Sequence, residues 1–83
     1  LNKGAAINQT TQNGDTPLFM ACQDGHHDAA RILVEMGAAI NQARQDGGTP
    51  LHIACQNNNH ECVVVLLNKD AEINQANYLP THY

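Results

Sequence analysis

The residues best suited to bind a metal in this 83-residue chain are its five histidines and three cysteines. Residues 26–28 read His-His-Asp, and residues 52–62 contain two histidines and two cysteines. A zinc site needs ligands that converge on one tetrahedral point, usually with a Cys-x-x-Cys or His-x-x-x-His spacing. His52 and Cys55 could share a helix face, but His60 and Cys62 are two residues apart and would diverge. We therefore predict no metal ligands.

Catalytic motifs are also missing from the sequence. It contains no Gly-x-Ser-x-Gly, no phosphate-binding glycine loop and no paired carboxylates, and it has no serine at all. A cysteine nucleophile would need exposure and a nearby base, whereas Cys22 and Cys55 both occupy helical positions that we interpret as buried. We predict no catalytic residue and no cofactor.

Charge and hydropathy exclude further classes of function. The net charge of -4, with only four Lys and Arg residues, argues against a nucleic-acid surface, which needs a basic stripe. No apolar run approaches the roughly 18 residues of a membrane span. Three cysteines at apolar positions suit a reducing compartment, so we expect an intracellular, cytoplasmic location.

The elements that position these residues recur along the chain. The run Thr-Pro-Leu-Phe-Met-Ala-Cys-Gln at 16–23 returns as Thr-Pro-Leu-His-Ile-Ala-Cys-Gln at 49–56, 33 residues later. On the same spacing, Gly-Ala-Ala-Ile-Asn-Gln at 4–9 returns at 37–42 and, with Asp in the first place, at 70–75. A fixed period of this size indicates a stacked repeat protein.

Each Thr-Pro pair predicts the start of a short helix. Asn-Gly within residues 11–15 and Asp-Gly within 44–48 are turn signals. Threonine is a good N-cap and proline suits the first helical position. The first helices should therefore span about 17–24 and 50–57, with Gly25 and Asn58 as residues that can end them in a left-handed turn.

A second helix should follow at about 27–36 and 60–69, where apolar residues recur at helical spacing. Asp28 and Glu61 fall in the first turn, where the helix dipole favours negative charge. Gly37 stands where the backbone would turn left-handed after the helix. Asp70 fills the corresponding place in the next repeat, and we expect it to do the same.

Thr-Pro-Leu-His-x-Ala at 49–54, with Gly-Ala-x-Ile-Asn at 37–41 and the 33-residue period, resembles the ankyrin repeat over residues 1–79. The resemblance implies an all-α fold in which each repeat of about 33 residues forms a β-turn finger and two antiparallel helices, stacked into a curved solenoid. It also implies a non-catalytic module that binds other macromolecules.

On this resemblance, residues 1–83 form one ankyrin-repeat domain. Residues 1–10 end a truncated repeat, 11–43 and 44–76 are full repeats, and 77–83 begin a partial repeat or form a tail.

The sequence departs from the family pattern at two places. Phe19 replaces the usual histidine, which His52 supplies in the next repeat. That imidazole typically ties neighbouring loops together, so we expect Phe19 to lose one such tie. The Gly25-His26 pair becomes Asn58-Asn59, which suggests a looser unit in the second full repeat.

The resemblance places partner binding on the concave face, formed by the fingers and the first helices. We expect this face to fit a polar or basic protein partner of unknown identity. The alternatives are a segment that stacks end to end into an oligomer or filament, and a targeting arm of a longer enzyme or effector. The candidate partner-binding residues are Gln12, Asn13, Asp15, Gln23, Asp24, Gln45, Asp46, Gly48, Gln56, Asn57 and Tyr78.

Overall fold

The computed structural model describes the backbone of residues 7–78 and the side chains of residues 7–70. Within that range lie four complete helices and no strand: α1 (Pro17–Asp24), α2 (His27–Glu35), α3 (Pro50–Gln56) and α4 (His60–Tyr78). α1 packs on α2 and α3 on α4, and the second pair stacks beside the first through α1–α3 and α2–α4 contacts. The all-α stack expected from the sequence is confirmed.

The first helix of each pair begins at its Thr-Pro pair, as predicted. The Phe19 N–H donates to Thr16 Oγ1 at 3.0 Å, and the corresponding bond to Thr49 Oγ1 is 3.2 Å. Pro17 occupies the start of its helix, where a missing N–H costs nothing. α1 ends at Asp24 as predicted, and α3 ends at Gln56, one residue early.

The turns between the helices of each pair also match the sequence. Gly25 has a φ of 76° and Asn58 a φ of 58°, so both take the left-handed conformation. After α2, Gly37 does the same with a φ of 96°. A residue without a Cβ adopts this backbone at the lowest cost, which is why α2 ends just before it.

The second helix of the second pair contradicts the prediction. Instead of ending near residue 69 in a left-handed turn at Asp70, α4 continues to Tyr78. An aspartate turns left-handed less readily than the glycine at position 37. Residues 69–76 contain neither glycine nor proline, and include alanine and glutamate, which favour helix. The local signal that stops α2 is therefore absent from α4.

Small side chains fill the core between the four helices. Leu18, Ala30 and Ala54 are fully buried, and Leu66 is nearly so. Alanines allow the helices of adjacent pairs to approach closely, which suits a stack of thin layers. None of the helices in the described part of the chain is long and apolar enough to cross a membrane.

The cysteines differ in burial although two of them are repeat equivalents. Cys22 and Cys62 are buried, whereas Cys55 is exposed and lines an open groove with Val63 and Val64. The prediction that Cys55 is buried is therefore wrong. Cys22, on α1, lies between the two helix pairs. Cys55 occupies the equivalent position on α3, in the second pair, and is exposed there.

Two asparagines of the second pair bond to the backbone of α1. Asn59 Nδ2 donates to Cys22 O at 2.6 Å and to Gln23 O at 3.2 Å. Asn57 Nδ2 donates to Gln23 O at 3.0 Å. These bonds contradict the expectation of a looser unit in the second full repeat. Asn59, which stands where the first full repeat has His26, supplies bonds between the helix pairs.

Candidate protein-binding surface

The surface that could meet a partner begins with two fingers, residues 11–15 and 44–48. In each finger the first residue donates its N–H to the carbonyl of the fifth, at 3.0 and 2.8 Å, and accepts from the glycine N–H at 3.0 and 2.9 Å. Gly14 and Gly47 have φ values of 89° and 91°. These are tight turns with a left-handed glycine, as Asn-Gly and Asp-Gly predict.

The second finger is fastened to the first through main-chain carbonyls and one ion pair. Gln45 Nε2 donates to Gln12 O at 2.8 Å, and the Gln45 N–H donates to Asn13 O at 3.3 Å. Arg44 Nε lies 2.8 Å from Asp15 Oδ1. The two fingers therefore form one continuous edge.

Arg44 also covers the aromatic ring of Phe19. Its guanidinium carbon lies 5.0 Å from the ring centroid, within the range of a cation–π contact, and Asp46 Oδ2 lies 3.6 Å from its Nη1. Phe19 is only 2% exposed. A phenylalanine at this place therefore contributes packing beneath the second finger.

The histidine at the equivalent place acts within its own helix cap. His52 Nδ1 accepts the Thr49 N–H at 3.2 Å, and Thr49 Oγ1 accepts the His52 N–H at 3.2 Å. This reciprocal arrangement is a capping box. The bond between neighbouring loops that the family pattern implies for this imidazole is not among its contacts with the described residues.

The exposed edges of α1 and α3 continue the surface from the fingers. Gln23, Asp24 and Gln56 are exposed, and their side chains make no hydrogen bond or ion pair with the described part of the chain. They are therefore available to a partner. We call the exposed residues of the fingers, α1 and α3 the inner face.

The structure divides the predicted partner-binding residues into two groups. The side chains of Gln12, Asn13, Gln23, Asp24 and Gln56 are exposed and make no hydrogen bond or ion pair with the described residues. The others hold the stack or a finger together: Asp15, Gln45, Asp46, Gly48 and Asn57. Gly48, for example, is half-buried and donates its N–H to Asp46 Oδ1 at 2.9 Å. Tyr78 ends α4, and its side chain lies outside the described residues.

Met20 belongs to the inner face but was missing from the predicted set. Its side chain is 38% exposed, although methionine is usually buried. It lies three residues before Gln23 on α1, and residues at this spacing share a helix face. That spacing could have identified it from the sequence. Met20 adds an apolar contact beside the exposed amides.

The buried thiols are poorly suited to nucleophilic chemistry. Burial and, to a smaller extent, the neighbouring thiol of Cys62 raise the pKa of Cys22 to about 12. Burial also raises the pKa of Cys62 above its ordinary value. Because the thiolate is the reactive form, both cysteines behave as small apolar side chains.

Metal binding has no support in the described residues. No group of three or more histidine, cysteine, aspartate or glutamate side chains in this part of the chain is arranged to hold an ion. His27 Nδ1 instead lies 3.0 Å from Glu61 Oε1, an exposed contact between the helix pairs.

The comparison with protein families agrees with this geometry. The family model described as ankyrin repeats (3 copies) matches residues 1–77. No curated protein matches the chain.

Proposed function

The chain belongs to the ankyrin repeat family, whose repeats generally bind other proteins, and we propose that it binds a protein partner through its inner face. The repeating units of this non-catalytic module are residues 11–43 and 44–76. The observation that carries the proposal is that the side chains of Gln23, Asp24 and Gln56 are exposed and make no hydrogen bond or ion pair with the described residues, beside amides that hold the stack together.

The chemistry of the inner face favours a polar or basic partner. The exposed Asp24 and Asp46 give the inner face negative charge, whereas Arg44, the basic residue of the fingers, α1 and α3, is half-buried, as is Asp15. Arg44 is only 26% exposed and faces Asp15 and Asp46. Asp24 has no ion-pair partner among the described residues, so its negative charge can attract Lys or Arg side chains of a partner.

A site-specific cross-link identifies both the partner and the face that it touches. A photoreactive amino acid replaces Gln23 on α1 in one sample and Glu35 on α2 in the control sample, since both positions are exposed. The proposal predicts that the partner is cross-linked from position 23 and not from position 35. A partner captured only from position 35 contradicts it.

Affinity measurements with that partner then test the individual side chains. The triple variant Gln23→Ala, Asp24→Ala and Gln56→Ala should bind roughly ten-fold more weakly or worse, because central interface residues cost at least about 1 kcal/mol when truncated. A control variant changes Glu35 and Asn68, one acid and one amide on the second helices. Equal affinity of both variants and the unmodified chain removes the inner face from consideration.

End-to-end association is a second candidate, favoured by one comparison within the chain. Val34 is 4% exposed because the second helix pair covers it, whereas its repeat equivalent Leu67 is 48% exposed. Cys22 and Cys55 differ in the same way. A second copy that stacks on this surface makes a heterologous contact that propagates. Light scattering over a concentration series tests this, and a monomer at the highest concentration rejects it.

A further inference from the structure

We propose that Asn13 is a site of spontaneous deamidation and that the contact with the second finger restrains the reaction. Asn13 is the only asparagine in the sequence that glycine follows, and its side chain is exposed at the tip of the first finger. Glycine has no side chain to shield its own backbone nitrogen. The Gly14 nitrogen is therefore the least hindered main-chain nucleophile next to any asparagine of the chain.

The reaction needs no partner other than water. The Gly14 nitrogen gives up its proton and attacks Cγ of Asn13, the new C–N bond closes a succinimide ring, and the Cγ–Nδ2 bond breaks so that the side-chain nitrogen, having gained that proton through water, leaves as ammonia. Water then opens the ring at one of its two carbonyls. The product is an aspartate at position 13 or an isoaspartate, in which the main chain passes through the side-chain carbon.

The contact between the fingers opposes ring closure. To place the Gly14 nitrogen against Cγ, the peptide between Asn13 and Gly14 must rotate. That rotation breaks the bond from the Gly14 N–H to Thr11 O, at 3.0 Å, and moves Asn13 O away from the Gln45 N–H, at 3.3 Å. Gln45 Nε2 holds the preceding carbonyl of Gln12 at 2.8 Å. The second finger therefore holds the peptide in its unreactive orientation.

Close packing at Gly14 adds to this restraint. A Cβ added to Gly14 would lie 3.0 Å from the Gln45 nitrogen and 3.1 Å from Arg44 Cα, both main-chain atoms. At Gly47, the equivalent glycine of the second finger, no described atom lies within 4 Å of an added Cβ. The Asn13–Gly14 pair of the first finger is therefore packed against the second finger at Gly14. The equivalent glycine of the second finger, Gly47, has open space on the same side.

The second finger also indicates how the aspartate product is accommodated. Position 46 is the repeat equivalent of position 13 and carries an aspartate, whose Oδ1 accepts the Gly48 N–H at 2.9 Å. This turn type therefore tolerates a carboxylate. An isoaspartate lengthens the main chain and displaces the carbonyl that bonds Gln45. Either product adds a negative charge to the inner face. The deamidation itself does not depend on the proposed function; only the effect of the new charge on partner binding does.

The test measures deamidation of the full chain without any partner. Purified protein is incubated at mildly alkaline pH in ¹⁸O-labelled water, and the peptide that contains Asn13 is followed by mass spectrometry. Gln45→Ala removes the bond to Gln12 O, and Arg44→Gln removes the ion pair with Asp15. Glu35→Ala, an exposed change on α2 outside the inner face, is the control, and Asn13→Gln shows that the signal comes from this residue.

We expect Gln45→Ala to deamidate roughly five-fold faster than the unmodified chain, the factor that corresponds to one hydrogen bond of ordinary strength. Arg44→Gln should also accelerate the reaction, and Glu35→Ala should leave the rate unchanged. Circular dichroism must show that the variants stay folded during the incubation. Equal rates in the folded chain, in both finger variants and in the urea-unfolded chain overturn the proposed restraint. Absence of the product in the unfolded chain overturns the site itself.

Discussion

Arg44 Nε lies 2.8 Å from Asp15 Oδ1, and this ion pair joins two fingers that are one repeat apart in sequence. The side chains are only 26% and 20% exposed, so water screens the pair less than it screens a surface pair. The same arginine covers the ring of Phe19. One side chain therefore links the second finger to the first finger and to α1.

Replacing Arg44 by glutamine should lower the free energy of unfolding by about 1–2 kcal/mol, between the values for an exposed and a buried pair. The control is Arg31→Gln, whose 52% exposed side chain pairs with Asp28 on the same helix and should cost less than about 0.5 kcal/mol. Urea unfolding measures both. A similar loss in the two variants would show that the contact between fingers adds nothing.

Two glycines with similar φ values should respond differently to alanine. Gly37 has open space around an added Cβ, so Gly37→Ala should cost only the left-handed backbone, about 1 kcal/mol. At Gly14 the added Cβ would also meet main-chain atoms at 3.0 and 3.1 Å. Gly14→Ala should therefore destabilise the protein more in urea unfolding. The reverse order would argue against the close approach of the fingers.

Asn59→Ala should lower stability by about 1–2 kcal/mol, because it leaves Cys22 O, a half-buried acceptor, without its partner at 2.6 Å. Asn57→Ala is the matched control, since Gln23 O keeps the second bond from Asn59. Thermal unfolding of the two variants gives the comparison. If Asn57→Ala proves as costly as Asn59→Ala, the bond to Cys22 O is not the main tie between the helix pairs.

The three cysteines should differ in their reactivity towards a thiol reagent in the folded protein. A maleimide should label Cys55 rapidly, because it is exposed, and label Cys22 and Cys62 only after unfolding, because both are buried. Peptide mapping of the labelled chain identifies each site. Rapid labelling of Cys22 under native conditions would contradict its place between the helix pairs.

Stability should fall at alkaline pH because of the buried thiols. Burial raises the folded pKa of Cys22 to about 12, whereas the pKa of a cysteine in an unfolded chain is about 8.5. The unfolded chain therefore releases this proton at a lower pH than the folded protein does. The free energy of unfolding should be unaffected below about pH 8.5 and should decrease as the pH rises from there towards 12.

Urea unfolding at a series of pH values tests this, with Cys22→Ala as the comparison. The variant lacks the buried thiol, so its stability should fall less steeply with pH than that of the unmodified chain. Parallel curves for the two proteins would mean that Cys22 does not account for the loss.

Local signals in the sequence were sufficient for most of the fold. The Thr-Pro pairs predict where α1 and α3 begin, and Asn-Gly and Asp-Gly predict the finger turns, because each signal acts on backbone bonds within a few residues. The same locality explains the error in α4. At Asp70 the repeat pattern suggested a stop, but no glycine was present to end the helix.

The 33-residue repeat in the sequence also predicted that the helix pairs stack and which protein family the chain resembles. It could not assign roles to equivalent residues, because these share a local sequence and differ in their neighbours. Cys22 is covered by the second pair and Cys55 is not. The side chains of Gln12 and Asp24 make no hydrogen bond or ion pair with the described residues, whereas their equivalents Gln45 and Asn57 bond to the preceding finger and helix. Only the tertiary structure decides which polar side chains the stack uses, because hydrogen bonds and burial depend on contacts between residues about 33 positions apart.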